Sequence, residues 1–142
     1  MAHFTVRQCE DLLAAVFPPW VGELNIAVIS SEAGRVVLRL PATRAVERIG
    51  GIVCGQALMA FADTGMIVAT ISHLGAFVPV ATVSQTTNFL SGAGGGDVIA
   101  DIRLTKTGRT LVFAEADMHC GDPARPVARI SGVIALPAQP TG

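Results

Sequence analysis

From Ile52 to Ile71 nearly every side chain of this protein is apolar, and Asp63 is the only charged residue between Gly50 and Thr86. A run of that length can fill a domain core or span a bilayer, and the lone carboxylate decides between the two. At a bilayer midplane an Asp costs roughly 2.5–3.5 kcal/mol on insertion scales, and the flanks carry no clear Lys/Arg asymmetry. A helix apolar on all sides is equally at home in the centre of a soluble fold. The run therefore reads as a buried helix from about Gly55 to about Ser72, and no membrane association is expected. In such surroundings a carboxylate loses hydration and needs strong partners, a situation over-represented at active sites. Capping the backbone amides of a neighbouring element would meet the same need.

The remaining segments supply what that helix packs against. Val6, Cys9, Leu12, Leu13, Val16 and Phe17 recur at helical spacing, which predicts a short amphipathic helix over Thr5–Phe17, stopped by Pro18-Pro19. Two strands are expected at Leu24–Ser30 and Arg35–Leu40 across a Ser31–Gly34 turn, followed by a connection from Pro41 to Val53. After the apolar helix the chain is strand-rich. A long run covers Val78–Leu90, and alternating patterns follow around Val98–Leu104, Val112–Met118 and Ala128–Leu136. Pro137–Gly142 reads as a frayed tail. One apolar helix with about six one-sided strands points to the α+β class, with a single antiparallel sheet curved around the helix. Helix-around-sheet packing of this kind is the hotdog arrangement.

At 142 residues the chain suits one domain, spanning 1–142, with one core. Its net charge of -1 provides no basic stripe to displace counterions from phosphates, so nucleic acid is not an expected partner. Cys9, Cys54 and Cys120 are scattered and form no Cys-x-x-Cys pair, which suits a reducing cytosol and argues against disulfides or a zinc knuckle. The first ten residues lack the basic-then-apolar pattern of a signal peptide. A cytoplasmic protein without metal or cofactor is the expectation.

Gly50-Gly-Ile-Val-Cys54-Gly55-Gln56 leads straight into the apolar helix. Helix N-termini hold unpaired N–H groups and a partial positive charge, which together can grip a carbonyl oxygen turning into an oxyanion. Gly55 has no Cβ, so a substrate can approach its N–H closely; the plainer reading is a tight entry to a crowded helix. Gly55 and Asp63 stand eight residues apart, about 12 Å along a helix axis. One helix cannot bring both groups to one carbonyl, whereas two antiparallel copies can. If the groups cooperate, the protein is a symmetric dimer, with a further pairing into a tetramer also open.

Cys54-Gly-Gln-Ala-Leu-Met-Ala-Phe-Ala-Asp63-Thr resembles the His-Gly-Gly-x6-Asp segment of hotdog acyl-CoA thioesterases of the phenylacetate-pathway (PaaI-like) type. The likeness extends through the strand around Thr82, Asn88-Phe-Leu-Ser-Gly-Ala93 and the Lys106-Thr-Gly-Arg109 turn, from about Arg35 to about Leu136. It implies acyl-CoA as substrate and hydrolysis to free CoA and an acid. Gly55 matches the glycine whose amide polarises the thioester carbonyl, and Asp63 the carboxylate that activates water or attacks directly. Thr82 stands where relatives hold a Ser or Thr that positions water. Gly108-Arg109, with Lys106, falls where they hold the nucleotide end of CoA. Arg48, Gln56, Thr64 and Asn88 complete the implied substrate-binding set. The chain departs from the pattern at Cys54, in place of the usual His, and at Arg48, in place of the usual Asn.

Cys54 is a candidate nucleophile at a helix start, although a Cys among apolar neighbours usually acts as a small filler. His73 and His119 are expected in ordinary packing or surface roles. Gly92–Gly96 lacks the Gly-Lys-Ser/Thr ending of a phosphate loop and reads as a turn. Arg35, Arg39, Arg103, Arg125 and Arg129 read as solvated charges on the sheet face. Three functions fit these residues: a thioesterase, a hotdog dimer that binds acyl-CoA without cleaving it, and a dehydratase. No His is paired with an acid in the manner the last requires.

Overall fold

A computed structural model describes residues 2–138. Helix α1 covers Val6–Val16. Thr5 caps it by accepting the N–H of Gln8 at 3.2 Å, while the Gln8 side chain accepts the N–H of Thr5 at 2.8 Å. This reciprocal box satisfies two orphan donors and fixes where the helix begins. A one-turn helix α2, Pro19–Gly22, follows with proline at its first position. It was not anticipated, and it displaces the expected first strand. The N–H groups of Leu24 and Asn25 bond back to Val21 and Gly22, and Asn25 takes a positive φ of 55°. Strand β1 therefore begins only at Ala27 and runs to Glu32, pairing with β2, Arg35–Leu40.

The connection to the central helix has structure of its own. A 3-10 turn, Arg44–Val46, leads into a two-stranded ribbon of β3, Glu47–Arg48, and β4, Ile52–Val53. Gly50 and Gly51 close it at φ +101° and +72°, a conformation that explains the glycine pair.

Helix α3 spans Gly55–Leu74 and ends at Gly75, whose left-handed backbone returns its N–H to Ile71 and Ser72. Strands β5 (Ala81–Phe89), β6 (Val98–Thr107), β7 (Leu111–His119) and β8 (Ala128–Ala135) complete a six-stranded antiparallel sheet in the order β1-β2-β6-β7-β8-β5. The sheet packs its apolar face on α3, which gives the hotdog fold expected from the sequence. Leu58, Phe61, Ala62, Met66, Val68 and Ala69 of the helix meet Leu38, Ile102, Val112, Ala116 and Ile134 of the sheet in one core. Helix α3 has the length and apolarity of a membrane span, but most of its surface is covered in this way. One stripe is covered less than the rest, comprising the exposed Gln56 and Met59 and the half-buried Ala60, Asp63 and Ile67.

Strand β5 lies at the sheet edge beside that stripe, and most of its residues are exposed, Val83 at 59%. On the outer face, Arg35, Arg103 and Arg129 pair with Asp101 and Asp117, the solvated charge pattern read from the sequence. Of the expected tail, Pro137 and Ala138 are exposed and 139–142 lie outside the described residues.

Two glycines let the helix approach the sheet closely. A Cβ at Gly65 would fall onto Ile102 Cδ1 and lie 3.0 Å from Leu38 Cδ1, and one at Gly132 would lie 2.5 Å from Met66 Sδ. Leu38 and Ile102 are fully buried in the core. Gly65→Val should therefore destabilise the protein by roughly 2–3 kcal/mol, against the direction of helix propensity. Thermal or urea unfolding measures this, and an unchanged midpoint would mean the helix–sheet contact is slack.

Candidate active site

The start of α3 forms one half of the candidate site. Cys54 occupies the N-cap in an extended conformation (φ -69°, ψ 154°), and its N–H bonds to Val46 O at 2.9 Å. Its thiol makes no capping bond and packs against the core as a partly buried apolar group. Gly55 is the first helical residue, so its N–H belongs to the first turn, whose donors find no carbonyl within the helix. The space a Cβ would fill at Gly55 is taken by Phe89, with the ring Cζ at 3.1 Å. The close approach that the missing Cβ allows is thus, within one chain, that of an aromatic ring. Phe89 itself is 52% exposed. An open cleft of about 380 Å³ lies here, walled by Ile52, Val53, Leu58, Phe89 and Leu90 and bordered by Arg48. The Arg48 guanidinium donates from Nη1 to Ile49 O at 3.0 Å. Gln56 is exposed on the next helical position.

Asp63 forms the other half. It projects from the less covered stripe of α3, where Thr82 Oγ1 donates to its Oδ1 at 2.6 Å. That length is typical of a hydroxyl bonded to a carboxylate. The strong partner demanded by a carboxylate in an apolar run is therefore a hydroxyl on the edge strand. Gln85 of the same strand donates from Nε2 to Met59 O at 3.1 Å, one helical turn before Asp63. This tether between β5 and α3 has no signature in the sequence.

A shift in register between Thr82 and Ser84 decides which side chains of β5 join the site. Without it, Asn88 would share a face with Thr82, six residues earlier. The extra residue at the bulge reverses the alternation, so Gln85, Thr87 and Phe89 face the helix. Asn88 pairs with Arg129 and lines an outer-face cleft with Glu115, Asp117 and Ser131. It does not meet Asp63. Thr64 is also apart from the site, since one step around the helix from Asp63 turns it into the core at 4% exposure. Lys106 and Arg109 are exposed on the β6–β7 hairpin, where Gly108 is required because a Cβ would meet Leu111 O at 2.8 Å. Val112, Ile134 and Thr82 are aligned across β7, β8 and β5, which puts this hairpin at the Asp63 end of the sheet.

The other polar candidates lie elsewhere. His119 accepts the N–H of Gly121 at 3.0 Å, and the buried Nδ1 of His73 has no partner. Burial, reinforced by Asp97, raises the pKa of the Cys120 thiol. Gly92–Gly96 is a structural turn, with Ala93 buried and its carbonyl accepting from Val53. Among the described residues, no group of three or more His, Cys, Asp or Glu side chains is placed to hold a metal ion.

A six-stranded antiparallel sheet wrapped on one apolar helix defines the hotdog fold. The chain belongs to the thioesterase superfamily, whose family model matches residues 50–127. Among solved structures it is similar to a candidate thioesterase from Silicibacter sp., at 25% identity and a TM-score of 0.86, over 97% of this chain and 95% of that one. A conserved protein from Pseudomonas aeruginosa is also 25% identical, with a TM-score of 0.78 over 85% of this chain and 95% of its own. A thioesterase from Haemophilus influenzae shares the fold at 17% identity, with a TM-score of 0.84 over 96% of this chain and 95% of that one. No curated protein matches the chain.

The contact between Gly55 and Phe89 can be measured by a double-mutant cycle. Gly55→Ala pushes a methyl against the ring, and Phe89→Ala removes the obstacle. The double variant should be more stable than the two single changes predict, by about 0.5–1 kcal/mol in chemical denaturation. Simple additivity would mean that the ring does not rest on Gly55.

Proposed function

We propose that this protein is a metal-independent acyl-CoA thioesterase that works as a symmetric dimer with its sites between subunits. The observation that carries the reading is the hydrogen bond from Thr82 to Asp63 on the less covered stripe of the central helix, beside a free sheet edge. Free edges invite pairing with another strand. Two β5 strands paired antiparallel about their midpoint, Gln85, would set Ala81 of each opposite Phe89 of the other. The Asp63–Thr82 end of one subunit would then lie beside the Gly55–Phe89 end of its partner, bridging the 12 Å that one helix cannot.

The chemistry follows from that juxtaposition. The Gly55 N–H holds the thioester carbonyl oxygen, and the helix start favours the negative charge that develops on it. Asp63 of the partner subunit takes a proton from water as the water oxygen attacks the carbonyl carbon. The Thr82 hydroxyl fixes the carboxylate and the water. When the tetrahedral adduct collapses, the C–S bond breaks and Asp63 returns the proton to the departing thiolate, leaving a carboxylic acid and free CoA. Direct attack by the Asp63 carboxylate, followed by hydrolysis of the anhydride, uses the same residues. Arg109 and Lys106, exposed at the Asp63 end, suit the phosphates of CoA. The likeness to the PaaI-like branch and a cytoplasmic location belong to this proposal, as does further pairing into a tetramer.

One alternative has a specific observation behind it. Cys54 and Arg48 replace the His and Asn of the similar enzymes, and the Phe89 ring crowds Gly55. A dimer that binds acyl-CoA without cleaving it would tolerate both. Release of CoA from a panel of acyl-CoA esters, read with a thiol reagent, distinguishes the two. In that assay Asp63→Asn should lower kcat by about a hundredfold or more while the dimer stays folded. Cys54→Ala should retain most of the activity, because only the neighbouring amide faces the carbonyl. An active Asp63→Asn with an inactive Cys54→Ala would assign the chemistry to the thiol instead.

A further inference from the structure

The cleft beside Gly55 exposes apolar and polar surface in nearly equal measure and has a single cation at its border. Ile52, Val53, Leu58, Phe89 and Leu90 form the walls, and no acidic side chain lines the cleft. The cation, Arg48, differs from most of the arginines described. Arg7, Arg35, Arg39, Arg103, Arg125 and Arg129 each lie within ion-pair distance of an aspartate. Arg48, Arg44 and Arg109 have no such partner among the described residues, and of these three Arg48 is the one that lines the cleft. Its hydrogen bond to Ile49 O engages one of five guanidinium N–H donors and holds the group against the Gly50 turn. The other donors remain free at the border of a partly apolar, open cleft of about 380 Å³, within the usual range of volume for small-molecule sites.

We propose that this cleft receives the acyl group of the substrate and that Arg48 selects acyl groups ending in a carboxylate. The assignment rests on the thioesterase reading above and names the substrate class for it. Apolar walls suit the methylene arm of such a group, and a guanidinium fork matches its terminal carboxylate with two parallel N–H···O bonds. A neutral acyl chain of equal length would fill the same space and leave those donors unanswered. CoA phosphates are the competing anion, and the test separates them from the acyl terminus.

The experiment measures binding, so it does not depend on turnover. Thioether analogues of CoA carry a short methylene arm ending in either a carboxylate or a methyl group, in matched lengths, and bind the full-length protein in a calorimeter. For at least one arm length the carboxylate analogue should bind about fivefold to tenfold more tightly than its methyl twin. Arg48→Gln should bring that ratio to about one, and Arg48→Lys should restore part of it. A melting curve for each variant shows that the fold is retained. Equal binding of the twins by the wild type, or a preference that survives in Arg48→Gln, would overturn the assignment. So would an equal loss for both twins in Arg48→Gln, which would put Arg48 on the CoA phosphates that they share, or the absence of binding by any analogue. Failure of the thioesterase reading would show separately, as no CoA release from acyl-CoA esters.

Discussion

The burial of α3 against a single sheet is the constraint on which the rest of the molecule depends. The helix offers an apolar surface on nearly every side, and one curved sheet covers most of it. Gly65 and Gly132 make the approach close, so the helix cannot roll to present a different face. The stripe left over is narrow, and the one charged residue of the run, Asp63, lies on it. Its position follows from packing, because every other helical direction leads into the core. Thr82 then supplies the partner that a carboxylate in such a place requires.

On the proposed reading a single subunit holds two half-sites. Gly55, Phe89 and Arg48 gather at the start of α3, while Asp63 and Thr82 lie about 12 Å further along it. The edge strand β5 touches both, through Phe89 at one end and Thr82 at the other. Its outer edge is the unpaired boundary of the sheet, and the apolar residues Val83 and Phe89 are exposed along it. A β5–β5 pairing in a dimer would satisfy the strand's free backbone groups, cover its apolar side chains and unite complementary half-sites in one arrangement.

Much of this was legible in the sequence because it depends on periodicity and local chemistry. The apolar run gave α3, the helical recurrence from Val6 to Phe17 and the double proline bounded α1 nearly to the residue, and alternation located β2 and the C-terminal strands. The errors have local causes. Helix α2 and the turn bonds after it delay β1, and a glycine pair that seemed to belong to a plain connection closes the β3–β4 ribbon. At the site, Asp63 and Thr82 could be paired through family likeness. The β5 bulge could not be read from composition, and it turns Asn88 to the outer face. Thr64 follows Asp63 by one residue and, by helical geometry, faces the core. The resting of Phe89 on Gly55 and the tether from Gln85 to Met59 O join residues more than twenty positions apart, beyond the reach of any local pattern.

The most direct test is whether two inactive subunits can make one working site. Cys54 already has the extended backbone that precedes a proline, and proline is tolerated at a first helical position. Gly55→Pro therefore deletes the proposed oxyanion donor while leaving the backbone path open, with the exposed Phe89 ring having to yield a few tenths of an ångström, and Asp63→Asn removes the proposed base. Each homodimer should be nearly inactive. After subunit exchange in an equal mixture, half of the dimers are mixed and each carries one intact site, so activity should recover to about a quarter of the wild-type value. A mixture no more active than its two components, with exchange verified by mass, would contradict a site shared between subunits.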